Sequence, residues 1–164
     1  MPIALYRIDD RLIHGQVVVG WGQPFDLRFI VLVDDEVAAS EWEQELYRMA
    51  VPPEMEVAFL SVADAASQLA VFNARRDRGV LLVGSIGTME RLVERTVGQI
   101  PAVNVGGVHH ATGRVGHLRY VYLTDAEEQG LRRIAAAGIE VTAQDVPATR
   151  PVPLEELLAS IMDA

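Results

Sequence analysis

The chain has 164 residues, half of them hydrophobic and 23% charged, a composition that suits one domain burying roughly two-thirds of its unfolded surface. With no cysteine, disulfide frameworks, thiolate metal sites and cysteine nucleophiles are excluded; because every basic side chain is an arginine, so are lysine Schiff bases and a P-loop lysine. The formal net charge of −9, unrelieved by any basic run, argues against nucleic acid or anionic lipid as a partner. Asp9 and Asp10 interrupt the N-terminal stretch too early for a secretory or membrane-spanning segment, so a cytoplasmic location is expected.

Short apolar runs alternate with helical patterns. Ile3 to Ile8 is the first strand candidate. The next segment, Gly15 to Trp21, is ambiguous: its valines and flanking glycines favour strand or coil by propensity, with Gly20-Trp21-Gly22 reading as a helix end rather than a binding loop. Phe29 to Val33 is a continuous apolar run suited to a strand buried on both faces. Ser40 and Glu43 form a capping-box pattern, and Trp42, Leu46, Met49 and Ala50 then mark one helical face expected to be core, before Pro52-Pro53 stops the helix. Glu56 to Leu60 is a strand candidate. Ser61 is the expected cap of a helix carrying Leu69 and Phe72.

Val80 to Val83, between Gly79 and Gly84, is a second doubly buried strand, and Thr88 is the expected cap of a helix carrying Leu92 and Val93. Ala102 to Val105, Tyr120 to Leu123 and Ile139 to Thr142 complete the strand candidates. Thr124 and Glu127 form another capping box, before Leu131, Ile134 and Ala135 and a terminating Gly138. A last helix follows Pro153, with Leu154, Leu157, Leu158 and Ile161 on one stripe. The alternation predicts a single α/β domain over 1–164, a doubly wound, mainly parallel sheet with helices on both faces.

Ligands of such sheets bind beyond the carboxyl ends of the strands. Four segments follow strands there: Asp9 to Gln16, Asp34-Asp35-Glu36, Gly84 to Thr88, and Gly106 to His110. The first is the densest in chemistry. A neutral imidazole nitrogen of His14 can attack phosphorus, Arg11 can balance charge on the phosphoryl oxygens, and backbone N–H groups at a following helix start can hold the same oxygens. A carboxylate can fix the histidine tautomer. The same residues also fit a loop held by Asp–Arg pairs with an incidental histidine. Ser85 and Thr88 are candidate phosphate donors at a nearby helix start. His109, His110 and His117 lack metal-ligand spacing, even with Asp34 or Asp35, and adjacent histidines on extended backbone point apart; no metal or other cofactor is expected. His109 and His110 read instead as a rim of the site or a partner surface. Walker-type, nucleophile-elbow and dinucleotide-binding glycine motifs are missing.

The run Arg7-Ile8-Asp9-Asp10-Arg11-Leu12-Ile13-His14-Gly15-Gln16-Val17 resembles the active-site signature of the IIB components of the mannose/fructose/sorbose family of the bacterial sugar phosphotransferase system. Asp35 to Ala38, Pro52-Pro53, Val103 to Gly107, and Gly138 to Val141 followed by Pro147 resemble that family's other landmarks in the same order. The resemblance implies a helix after the His14 loop. It implies that His14 carries a phosphohistidine intermediate, with Arg11 stabilising the phosphoryl group and Asp10, the third expected catalytic residue, orienting the histidine and supporting the loop. The expected phosphate shell is Arg11, Gly15, Gln16 and Ser85, with Arg7 as support. The implied partners are a IIA phosphocarrier and IIC and IID membrane components holding the sugar; a homo-oligomer is left open. Two alternatives remain at this point: a regulatory phosphohistidine module that serves no transporter, and a protein that binds a small anion without covalent chemistry.

Overall fold

A computed structural model describes residues 2–162, apart from the side chain of Gln16. In chain order the strands are β1 (Ile3–Asp9), β2 (Leu27–Val33), β3 (Glu56–Leu60), β4 (Arg78–Val83), β5 (Ala102–Gly107), β6 (Val115–Leu118), β7 (Val121–Leu123), β8 (Glu140–Ala143) and β9 (Val152–Pro153). A π-helix, Gln16–Trp21, joins β1 to β2. The α-helices are α1 (Asp35–Ala38), α2 (Glu41–Met49), α3 (Val62–Asn73), α4 (Ile86–Arg95), α5 (Asp125–Ala136) and α6 (Leu154–Ala159).

Seven strands form one sheet in the order β3-β2-β4-β1-β5-β8-β9, parallel except for the edge pair β8 and β9. The two apolar runs lie at its centre because both of their faces are covered. Phe29, Val31, Val33, Leu81 and Val83 point into a core shared with α3, α4, α5 and α6. Ile30, Leu32, Val80 and Leu82 point the other way, into a smaller core closed by Leu12, Ile13, Val17, Val18, Trp21 and Val37. The fold is thus doubly wound, as expected from the alternation.

The chain leaves β1 on the smaller-core side and crosses β4 to reach β2. It leaves β4 on the opposite side, through α4, and crosses β1 to reach β5. Connections that part to opposite faces open a crevice beyond the carboxyl ends of β1 and β4. The His14 loop forms one lip and the start of α4 the other.

The strands and helices depart from sequence expectation in specific places. Tyr120 to Leu123 is no strand of the main sheet: β7 pairs antiparallel with β6 in a two-stranded ribbon, tied to the chain after β5 by a parallel bridge between Val121 and Val108. Thr88 caps nothing; Ser85 is the N-cap of α4 and its side chain accepts the Thr88 N–H. The Ser40 half of its capping box forms through the Glu43 N–H, while the Thr124–Glu127 box closes in both directions. Gly138, at φ 89, lies just past the end of α5, in a conformation that glycine adopts without strain. Ile161 lies beyond α6 and is exposed, whereas Leu154, Leu157 and Leu158 are buried.

The largest departure is α2. Its apolar stripe does not face the core: Trp42, Leu46 and Met49 are 72%, 49% and 84% exposed, and no residue of the helix is buried. The half-buried Tyr47, with Val51 and Met55 after the helix, makes the contact with the smaller core instead. Replacing the fully buried Leu69 by alanine is therefore expected to cost about 3 kcal/mol, whereas Trp42→Ala should change stability by less than about 0.5 kcal/mol, as measured by urea unfolding.

Candidate functional site

Alternation along β1 sends Arg7 and Asp9 to the smaller-core face, and both are completely buried. Arg7 donates to Asn104 Oδ1, to the backbone oxygens of Gln144 (2.9 Å) and Asp145 (3.0 Å), and to Asp9 Oδ2 at 3.5 Å. Its guanidinium lies 4.8 Å from the Trp21 ring centre, so the π-helix closes over it, and Trp21 Nε1 donates to the Asp145 oxygen. On the opposite side the guanidinium rests against Gly106: a Cβ there would lie 2.0 Å from Arg7 Cζ. Burial pushes the Arg7 pKa down to about 10 against the opposing pull of Asp9, so the group remains charged near neutrality.

Asp9 is the hub. The Arg11 side chain grips it with two bonds, Nε to Oδ1 at 3.1 Å and Nη2 to Oδ2 at 3.0 Å, and the Arg11 backbone N–H adds a third at 3.1 Å. His14 Nε2 lies 3.2 Å from Asp9 Oδ2. Burial alone would raise the Asp9 carboxyl, but hydrogen bonds from His14 and Arg11 and the charge of Arg7 outweigh it, holding the group well below the usual carboxylate range. An ionised carboxylate only accepts hydrogen bonds, so His14 Nε2 is the donor. That places a proton on Nε2 from the charge state of its neighbour.

The loop between these residues is bent by Leu12, whose φ of 59 places a non-glycine residue in the left-handed region. The turn is closed by the Leu12 N–H bond to the Asp9 oxygen at 3.0 Å, and the Leu12 side chain is anchored against Gly84 across the crevice. Local strain is thus held by burial, and the bend brings Arg11 and His14 back to the same carboxylate. The π-helix follows directly, with Val18 N–H bonded to the His14 oxygen and Gly22 N–H to the Val17 oxygen. The segment that propensity left ambiguous is therefore helical, as the resemblance implied.

Asp10 points elsewhere. Its carboxylate accepts the His109 N–H at 2.7 Å and lies 2.5 Å from His109 Nδ1, tying the His14 loop to the segment after β5. Gly107 leaves space there: a Cβ would lie 3.0 Å from Asp9 Oδ1 and 3.2 Å from His109 Cε1. Asp10, expected to orient the histidine, meets His109 instead, while Asp9, absent from the expected site residues, touches His14. The strand parity of Arg7, Asp9 and the π-helix tryptophan was the signal for it. Arg7 is beneath the site rather than on its surface.

Gly15 stands at the start of the π-helix, and the side chain of Gln16 lies outside what the structure describes. Ser85 is on the far lip of the crevice; its Oγ is engaged by the Thr88 N–H and Thr88 Oγ1, and no hydrogen bond joins it to Asp9, Arg11 or His14 among the described residues. Among those residues no group of three histidine, aspartate or glutamate side chains is placed to hold a metal ion.

The Asp9 carboxyl titrates lower in the folded chain than in the unfolded chain, so its stabilisation is complete above about pH 5 and is lost as the pH falls through about 4 toward the folded value. Asp9→Asn, which leaves Arg7 buried without its counter-charge, is expected to cost about 3–5 kcal/mol at pH 7 and to flatten the acid limb of a stability-against-pH curve. Gly106→Ala is expected to cost at least about 2 kcal/mol by displacing the Arg7 guanidinium; urea unfolding and the loss of ordered His14 signals in NMR spectra check it.

Comparison with known proteins adds an independent line. The family model described as PTS system sorbose subfamily IIB component matches residues 3–163. The mannose-specific EIIAB component of Escherichia coli K12 is 33% identical over 164 residues, an alignment spanning 98% of this chain and 50% of that protein. The chain thus spans about half the length of that relative. The sorbose-specific EIIB component of Lacticaseibacillus casei is 28% identical over 98% of this chain and 96% of its own length. Among solved structures, manxB from Thermoanaerobacter tengcongensis superposes with a TM-score of 0.85 at 31% identity, covering 96% of this chain and 95% of that one. The IIBSor domain of the Klebsiella pneumoniae sorbose permease gives 0.86 at 28% identity, covering 97% and 98%. The chain belongs to the sorbose-subfamily IIB components of the phosphotransferase system.

Proposed function

We propose that the chain is a phosphocarrier in which His14 accepts a phosphoryl group from a phosphohistidine of a IIA protein and delivers it to a sugar held by IIC and IID membrane components. The observation that carries the reading is the buried, ionised Asp9, bonded at once to His14 Nε2 and to Arg11. With Nε2–H donated to Asp9, phosphorylation at Nδ1 keeps that bond intact and lets the carboxylate stabilise the charge that develops on the ring. The Nδ1 lone pair forms the new N–P bond as the donor histidine's N–P bond breaks. The sugar hydroxyl oxygen then forms an O–P bond as the N–P bond to His14 breaks, and the hydroxyl proton is released.

Arg11 is held flat by its two bonds to Asp9 and is 37% exposed; its Nη1 has no hydrogen-bond partner among the described residues. That nitrogen is the proposed donor to the phosphoryl oxygens. Gly15 and Gln16 contribute backbone N–H groups at the start of the π-helix. Ser85 completes the shell from the α4 lip: with Thr88 Oγ1 donating to it, the Ser85 hydroxyl proton remains for a phosphate oxygen. Asp10 fixes the loop through His109. No helix among the described residues is long and apolar enough to cross a membrane, and this reading assigns the spanning to the partners and places the chain on the cytoplasmic face of the transporter.

Incubation with phosphorylated IIA tests this directly. An acid-labile phosphoryl adduct is expected on the wild-type chain and none on His14→Ala, whose circular dichroism should be unchanged. Arg11→Lys is expected to slow transfer roughly tenfold, because an ammonium cannot grip Asp9 with two parallel bonds while pointing a third donor at phosphate. Labelling of His14→Ala to the wild-type level would overturn the assignment.

A further inference from the structure

The exposed stripe of α2 has a setting of its own. From Asp34 to Glu54 the sequence holds seven acidic residues against one arginine, Arg48, so this short stretch carries most of the chain's net charge of −9. Asp34 and Asp35 are spent locally, on the α1 N–H of Val37 and on Val62 and Arg91, and Arg48 reaches Glu45 at 3.6 Å. Glu41, Glu45 and Glu54 stay exposed around the apolar stripe of Trp42, Leu46 and Met49. An apolar stripe that includes an exposed tryptophan and is rimmed mainly by carboxylates has the make-up of a docking surface.

The helix begins near the edge of the sheet that carries the site. Val33, Val83 and Ile8 are in register across β2, β4 and β1, so the chain enters α1 and α2 at the same edge of the sheet as the His14 loop, two strands away, or about 10 Å. A partner seated on the first turn of α2 therefore sits near the sheet edge that carries the His14 loop. Its charge is constrained as well. A second copy would bring the same acidic rim against this one, and charges of like sign in close apposition are costly. The cytoplasmic loops of membrane proteins are enriched in lysine and arginine, which complements this rim.

We infer that the Trp42–Leu46–Met49 face of α2 is the docking surface for the basic cytoplasmic loops of the membrane-embedded sugar-binding components, and that it orients the His14 edge toward the sugar. The inference rests on the phosphocarrier reading for the identity of the partner but not for the binding itself. Binding can be read without phosphoryl chemistry, by co-sedimentation of the unphosphorylated chain with inside-out vesicles containing the cognate IIC and IID components, against vesicles lacking them. Wild type is expected to sediment only with the loaded vesicles, and Trp42→Ser with Met49→Ser to weaken binding at least tenfold. Glu41→Lys with Glu45→Lys should weaken it similarly and flatten its dependence on salt.

The transfer steps supply a second readout. In the Trp42→Ser, Met49→Ser variant the concentration needed for half-maximal sugar phosphorylation is expected to rise tenfold, while labelling by phosphorylated IIA stays within twofold of wild type. Equal vesicle binding by variant and wild type would overturn the inference. So would a defect confined to labelling by IIA, which would give the surface to that protein, or a wild-type dimer that the variant abolishes, which would give it to a second copy. If His14 is never phosphorylated, the phosphocarrier reading fails while the sedimentation result still decides the docking surface.

Discussion

A negative charge without access to water organises the functional end of this molecule. Asp9 is ionised in a fully buried position, a state that survives only because Arg7, Arg11 and His14 all donate to or face it. Each of those groups is in turn fixed by something else. Arg7 is clamped between Trp21 and Gly106 and saturates two backbone oxygens of the segment after β8; Arg11 follows the turn that Leu12 forces; His14 opens the π-helix. Residues 7–21, 104–106 and 144–145, three stretches remote in sequence, therefore converge on the Arg7–Asp9 pair. Removing any of them changes the histidine through Asp9.

The sheet explains why this network sits where it does. On the smaller-core face, β2 and β4 are paved with apolar side chains and covered by the π-helix and α1. Toward β5 and β8 the same face changes character and presents Asn104, Thr142 and Gln144, beside a cavity of about 230 Å³ lined also by Leu5, Trp21 and Phe25. Arg7 and Asp9 stand on the boundary. They have enough apolar cover to strengthen their mutual attraction, and enough neighbouring amide and carbonyl groups to satisfy nearly all their bonding capacity. The Arg7 Nε is the one buried side-chain polar atom without a hydrogen-bond partner among the described residues, and it belongs to the guanidinium packed against the Trp21 ring.

Much of the architecture was legible because buried parallel strands are spelled as unbroken apolar runs: Phe29 to Val33 and Val80 to Val83 could be little else. Caps at Ser40, Ser61 and Thr124 were equally readable, since a side-chain oxygen bonding the third N–H of a helix is a local event. What failed was anything decided at a distance. Periodicity reveals that α2 has an apolar face and says nothing about what lies opposite, so a surface stripe and a core stripe look alike. The short β6 and β9 carry too few residues to show alternation. At the site, His14 and Arg11 stood out by chemistry, whereas the choice between Asp9 and Asp10 turned on which side of a strand end each residue faces. The pairing of Asp10 with His109 joins residues 99 apart in sequence, beyond any local reading.

The two tryptophans occupy opposite extremes. Trp21 is sealed against a guanidinium that belongs to the Asp9 network, and Trp42 is 72% exposed. An aqueous quencher such as iodide would extinguish the second and spare the first. The light that remains comes from an indole one side chain removed from the carboxylate that touches His14, so the unmodified chain carries one optical probe packed against the Asp9 network and a separable one of whatever covers α2.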